Sequence, residues 1–75
     1  MKACILVKTK PDTYDNIAES ISKFAGVEGA FVVIGRTDIA VRAEADDLMA
    51  LSVLALNIGT INGVSATETL ISLEV

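Results

Sequence analysis

The 75 residues are enough for one domain, which we take as residues 1–75, and a domain of this length buries only about 60% of the surface of its unfolded chain. A net charge of −4, without a cluster of lysine or arginine, excludes direct binding to nucleic acid by this chain alone, because that binding depends on concentrated positive charge. Apolar residues, with glycine counted and tyrosine left out, make up about 57% of the chain, against about 45–50% in an average soluble domain, and this excess favours burial between subunits.

The apolar segment at the N-terminus is too short for a signal peptide, because Lys8 interrupts it, and no apolar run reaches the ~20 residues that cross a bilayer. The single cysteine, Cys4, cannot form an intramolecular disulfide and is typical of a small core residue. These features predict a cytoplasmic protein that does not contact a membrane.

The first strand is predicted over Lys2 to Thr9, where both faces are apolar, and it ends at Lys10-Pro11. A helix follows, with Asp12 or Thr13 as its cap. Its apolar residues recur with helical spacing along one stripe, and Gly26 ends the helix. The stripe consists of Tyr14, Ile17, Ala18, Ile21, Phe24 and Ala25.

The centre of the chain is a predicted hairpin. Two apolar runs, Ala30 to Ile34 and Ile39 to Ala45, flank the turn Gly35-Arg36-Thr37-Asp38. Glycine permits the turn, and the β-branched residues on either side favour strands. In the return strand one face is apolar, and the other is partly polar because it carries Arg42 and Glu44.

The second helix is predicted to begin after Asp46 or Asp47, either of which can cap it, and to run to about Ile58. The stripe that should face the sheet consists of Leu48, Leu51, Leu54, Ala55 and Ile58. A second stripe on roughly the opposite side consists of Met49, Val53 and Leu56. A helix that is apolar nearly all round is typically buried nearly all round, so we interpret the second stripe as a contact patch. The alternative is an apolar surface without a partner.

A last strand is predicted from about Val64 to Glu74, which completes the order β-α-β-β-α-β. With right-handed crossovers this order gives an α+β, ferredoxin-like sandwich, in which two helices cover one face of an antiparallel sheet. A second copy that packs sheet against sheet, in a dimeric α+β barrel, is the simplest cover for the other face. The residues predicted to contact other copies are Ile5, Val33 and Val41 in the sheet region and Met49, Val53 and Leu56 in the second helix.

Three segments carry a family resemblance: Ile34 to Ile39 in the hairpin, Ala45 to Leu48 at the second helix, and Asn62-Gly63-Val64 leading to Thr67-Glu68-Thr69-Leu70. Together they resemble the effector-binding domain of the Lrp/AsnC transcription regulators, the regulation-of-amino-acid-metabolism (RAM) domain. The resemblance implies dimers joined through their sheets, larger rings such as an octamer, and a small effector, usually an amino acid, bound between dimers. Full-length members carry an N-terminal helix-turn-helix, which the 75 residues do not contain. The resemblance therefore implies a stand-alone module that modulates full-length regulators.

An α-amino acid needs a carboxylate for its ammonium and donors for its own carboxylate. Asp38 can supply the first, and the turn residues Gly35, Arg36 and Thr37 can supply the donors. The resemblance implies further contacts from Thr67 and Thr69 across the interface. The alternative is that Asp38 only stabilises the turn and that the threonines are ordinary strand residues.

The sequence offers little for catalysis. It contains no histidine, and therefore no Ser-His or Cys-His pair, and it shows no metal-ligand spacing or phosphate-binding loop. Asp46-Asp47 is more typical of a helix cap than of a metal site. We expect no enzyme activity, cofactor or metal. Two alternatives stay open: a structural partner that co-assembles with related subunits without a ligand, and a small enzyme of the dimeric barrel type.

Overall fold

The computed structural model describes residues 1–73 and confirms the expected order of elements. The strands and helices, in chain order, are β1 (Lys2–Thr9), α1 (Tyr14–Ser22), β2 (Val27–Val32), β3 (Ile39–Glu44), α2 (Leu48–Gly59) and β4 (Val64–Ile71). The strands form one sheet in the order β2-β3-β1-β4, and every neighbouring pair is antiparallel. The fold is therefore the ferredoxin-like α+β sandwich.

The core lies between one face of the sheet and the two helices. On β1 and β3 it is built from directly paired residues, because paired side chains in an antiparallel ladder point to the same face. The pairs are Ala3 with Ala43, Ile5 with Val41, and Val7 with Ile39. The helices add Ile17, Ala18, Ile21, Leu51, Leu54 and Ile58.

Two of the predicted interface residues belong to this core. Ile5 and Val41 are both 0% exposed in the single chain, so neither is available to a second copy, and the assignment of these two residues was wrong. The first strand is apolar on both faces, and the sequence therefore did not reveal which face the helices cover. The outward-facing neighbours of these residues, Leu6 and Ala40, are half-buried instead.

The helices differ from expectation at their ends. Helix α1 ends at Ser22, before Phe24 and Ala25, because the amides of Lys23 and Phe24 bond three residues back, to the carbonyls of Ser20 and Ile21. At α2, Asp47 is the cap, with Oδ1 accepting from the amide of Ala50 at 2.8 Å.

Helix α2 also departs from the predicted wheel. Leu48, expected to face the sheet, is 54% exposed. Within residues 1–73, neither helix combines the length and the hydropathy that crossing a membrane requires.

The face of the sheet away from the helices, which we call the open face, is mostly apolar at its centre. The side chains on it include Cys4, Leu6, Phe31, Ala40, Arg42, Glu68 and Leu70. Phe31 and Leu70 are about half exposed in the single chain. The Arg42 guanidinium lies 5.9 Å from the centre of the Phe31 ring, and its Nε is 4.0 Å from Glu28 Oε1. The open face is thus an apolar surface with a charged margin.

Candidate functional site

The connection between β2 and β3 is a six-residue loop, residues 33–38, which is longer than the four-residue turn predicted from the sequence. Two backbone hydrogen bonds close its base: the Val33 amide donates to the Asp38 carbonyl, and the Asp38 amide donates to the Val7 carbonyl, both at 2.9 Å. Gly35 has φ +154°, and beyond its two chain neighbours no residue has an atom within 4 Å of where a Cβ would be. The loop therefore has a fixed base and an exposed tip.

Asp38 is the anchor of this loop. Its Oδ2 accepts a hydrogen bond from the Thr9 amide at 2.8 Å, and the residue is half-buried. The β1–β3 pairing ends at Val7 with Ile39. The Thr9 amide is the next β1 amide on the side of β3, and it bonds to the Asp38 carboxylate in place of a strand carbonyl. This bond supports the alternative considered for Asp38, in which its carboxylate stabilises the turn.

A depression of about 420 Å³ lies where the loop meets the open face. It is lined by Leu6, Arg36, Thr37 and Glu68. Leu6 and Glu68 are directly paired across β1 and β4, so the register fixes the carboxylate beside the apolar side chain. The loop supplies Arg36 and Thr37 from the other side.

The lining has the chemistry of a site for a zwitterion. Glu68 can accept hydrogen bonds from an ammonium group, and Arg36 can donate to a carboxylate, where its fixed fork of N–H groups suits both oxygens. Thr37 adds a hydroxyl, and Leu6 gives an apolar surface for a side chain. One small region thus presents opposite charges, a hydroxyl and an apolar contact.

Glu68 was missed by the sequence reasoning, which assigned its neighbours Thr67 and Thr69. Thr67 is paired with Val7 and Thr69 with Ile5, and both partners are core residues, so the threonines are on the helix side of the sheet. They therefore do not line a site on the open face of their own chain. The alternation of side chains along β4 already puts Glu68 and the two threonines on opposite faces. Only the register of β4 against β1 shows that Glu68 is on the open face.

The remaining predicted contact residues are dispersed. Val33 is half-buried in the loop, whereas Met49, Val53 and Leu56 are on the exposed side of α2. The structure therefore brings Arg36 and Thr37 together with Glu68. Asp38 does not line the depression and instead holds the loop through its bond to the Thr9 amide.

The family model of the Lrp/AsnC ligand binding domain matches residues 2–75. No curated protein matches the chain significantly. Among solved structures, TTHA0845 from Thermus thermophilus superposes with a TM-score of 0.93 at 23% identity, covering 99% of this chain and 94% of that chain. At this identity the likeness shows a shared fold.

Two solved regulators are similar as well. AsnC of E. coli has a TM-score of 0.89 at 25% identity, covering 97% of this chain and 50% of that chain. The transcriptional regulator NMB0573 of Neisseria meningitidis, solved as a complex with L-Met, has a TM-score of 0.86 at 26% identity, covering 97% of this chain and 49% of that chain. This chain thus spans about half the length of each regulator. The family match over residues 2–75 shows that the chain belongs to the Lrp/AsnC family, through its ligand-binding domain.

Proposed function

We propose that this domain is a regulatory module that binds a free α-amino acid in the depression beside the 33–38 loop. The observation that carries the proposal is the convergence of Arg36, Thr37 and Glu68 around Leu6. In this arrangement Glu68 holds the ammonium, Arg36 and the Thr37 hydroxyl hold the carboxylate, and the ligand side chain lies over Leu6. Asp38 has a positioning role, because its bond to the Thr9 amide holds the loop in place.

Family membership and the L-Met complex of the Neisseria meningitidis regulator support an amino acid as the ligand. Apart from Leu6 the lining residues are polar or charged, so the site binds the ammonium and carboxylate groups that all α-amino acids share. An apolar side chain is the best match to the remaining surface, because only Leu6 is left to receive it.

The open face is the proposed contact between two copies. Phe31 and Leu70 are large apolar residues about half exposed there, and a second sheet packed at about 10 Å would cover them. The depression borders this face, so a second copy would close over the ligand. The amino acid would then change the assembly state of the domain and its association with full-length regulators.

Isothermal titration calorimetry with the twenty amino acids tests the ligand site. We expect at least one to bind, and we expect Glu68→Gln to weaken binding about 10- to 100-fold, because a hydrogen bond to a charged group contributes about 1.5–3 kcal/mol. Glu44→Gln is the matched control, since Glu44 is also an exposed carboxylate of the open face but lies at the far end of β3. The absence of heat from all twenty, or equal affinities for wild type and Glu68→Gln, would refute the site.

A second candidate is a co-assembly partner that binds no small molecule. The apolar centre of the open face favours it, because that surface can be covered by a related subunit without a ligand. Purification from the native cell tests it. A bound Lrp/AsnC regulator together with silent calorimetry would support co-assembly, and a homogeneous protein that gives binding heats would rule it out.

A further inference from the structure

The exposed side of α2 is unusual for a helix at the surface of a small domain. None of its 12 residues is charged, and three large side chains form one stripe that points away from the core. They are Met49, Val53 and Leu56, which we call the α2 ridge, and they are 76%, 51% and 70% exposed. The ridge lies on the opposite side of the molecule from the open face, so it does not depend on the ligand site or on the sheet contact proposed above.

The ridge has the spacing of a helix–helix seam. Its members are four and three residues apart, as the core positions of a coiled coil are. The positions beside the ridge, Ala50, Ser52 and Asn57, are small or uncharged. Charged residues at such flanking positions normally select or reject partners, so nothing on this helix repels an identical helix, and its small flanks permit a close approach.

Grooves run along both sides of the ridge. One, of about 350 Å³, lies between α2 and β4 and is lined by Leu48, Leu51, Ser52, Ala55, Leu56, Thr69 and Ile71. The other, of about 240 Å³, lies between α2 and the segment that follows α1, and its lining includes Phe24, Ala25 and Ala50. A ridge beside a groove is self-complementary, because two copies related by a twofold axis place each ridge in the other's groove simultaneously.

Acidic residues at the start of the helix set the orientation. Asp46 and Asp47 precede the N-terminus of α2 and are exposed. A parallel pair would bring the four aspartates of the two copies together, whereas an antiparallel pair separates the two acidic ends by the helix length, ~18 Å.

We propose that α2 pairs antiparallel with α2 of a second copy, about a twofold axis that passes close to Val53. This contact buries the α2 ridge of each copy in a groove of the other. Combined with a contact through the open face, it would join copies on both sides of each domain and build an assembly larger than a dimer.

Cysteine cross-linking tests the orientation, in a Cys4→Ala background that removes the natural thiol. A twofold axis at residue 53 brings Val53→Cys against its own copy, so rapid disulfide formation is expected. Met49→Cys should not link to itself, because the two thiols would be ~12 Å apart along the helix, whereas Met49→Cys mixed with Leu56→Cys should form the mixed disulfide. Self-linking of Met49→Cys as fast as that of Val53→Cys would overturn the antiparallel pair.

Sedimentation velocity tests whether the contact exists. Leu56→Glu should lower the mass of the assembly about twofold or more, because a carboxylate would be buried in an apolar seam. Asn16→Glu is the matched control, since it adds the same charge at an exposed polar position of α1 and should leave the mass unchanged. An unchanged mass for Leu56→Glu would overturn the proposal. Calorimetry on Leu56→Glu distinguishes this proposal from the ligand site. Amino-acid binding should be unchanged in this variant, because the site beside the loop does not include the α2 ridge.

Discussion

Thr9 shows how one residue joins the core to the candidate site. Its amide donates to Asp38 and so holds the 33–38 loop, while its side-chain hydroxyl is buried without a hydrogen-bond partner. A buried hydroxyl that makes no hydrogen bond costs about 1–3 kcal/mol relative to a well-solvated one. The residue therefore contributes through its backbone and loses stability through its side chain.

We predict that Thr9→Val raises the free energy of unfolding by about 1 kcal/mol, because valine has nearly the same shape and removes the unpaired hydroxyl. Urea unfolding at a fixed protein concentration measures the change. Thr13→Val is the control, since the Thr13 hydroxyl donates to the Lys10 carbonyl at 2.7 Å, and its loss should be neutral or destabilising. A less stable Thr9→Val would contradict this account of the core.

At the level of single residues, the sequence analysis named two of the residues that line the depression, Arg36 and Thr37, but not Glu68. The loop is recognisable because glycine and polar residues interrupt two apolar runs. The partner of the loop depends on how β4 pairs with β1, and that register is a tertiary property that no local pattern encodes. Ile5 was misassigned for a related reason, since both faces of its strand are apolar.

The elements themselves followed from the sequence more fully. The order β-α-β-β-α-β, the first strand and the core stripe of α2 apart from Leu48 were predictable from hydrophobic periodicity and from turn residues. Their ends were less predictable. Helix α1 closes with two amides that bond three residues back, and such a tightened last turn leaves no mark on the apolar pattern.

Helix α2 depends on its cap because it has no acidic residue in its first turn and no basic residue in its last turn. We predict that Asp47→Ala lowers the free energy of unfolding by about 1 kcal/mol, the usual cost of losing an N-cap. Asp46→Ala removes the same charge one residue earlier, and its effect should stay within about 0.5 kcal/mol. Equal losses for the two variants would show that charge, and not the capping bond, stabilises the helix start.

For the whole molecule, the excess of apolar residues seen in the composition now has two locations, the open face and the α2 ridge. We predict that Leu70→Glu lowers the mass of the assembly, because it places a carboxylate within the proposed sheet contact, where Leu70 is paired with Cys4. Combining it with Leu56→Glu should give a single chain in sedimentation velocity. A double variant that keeps the wild-type mass would contradict both contacts.

The proposed role of Glu68 and Arg36 is to hold the two charged ends of an amino acid on the open face. A crystal structure of the domain with the amino acid that gives the largest calorimetric heat tests it most directly. We expect the ligand nitrogen about 2.7–3.1 Å from a Glu68 carboxylate oxygen and the ligand carboxylate against the Arg36 guanidinium. A ligand whose nitrogen contacts Asp38 while Glu68 faces solvent, or one bound in a groove beside α2, would contradict it.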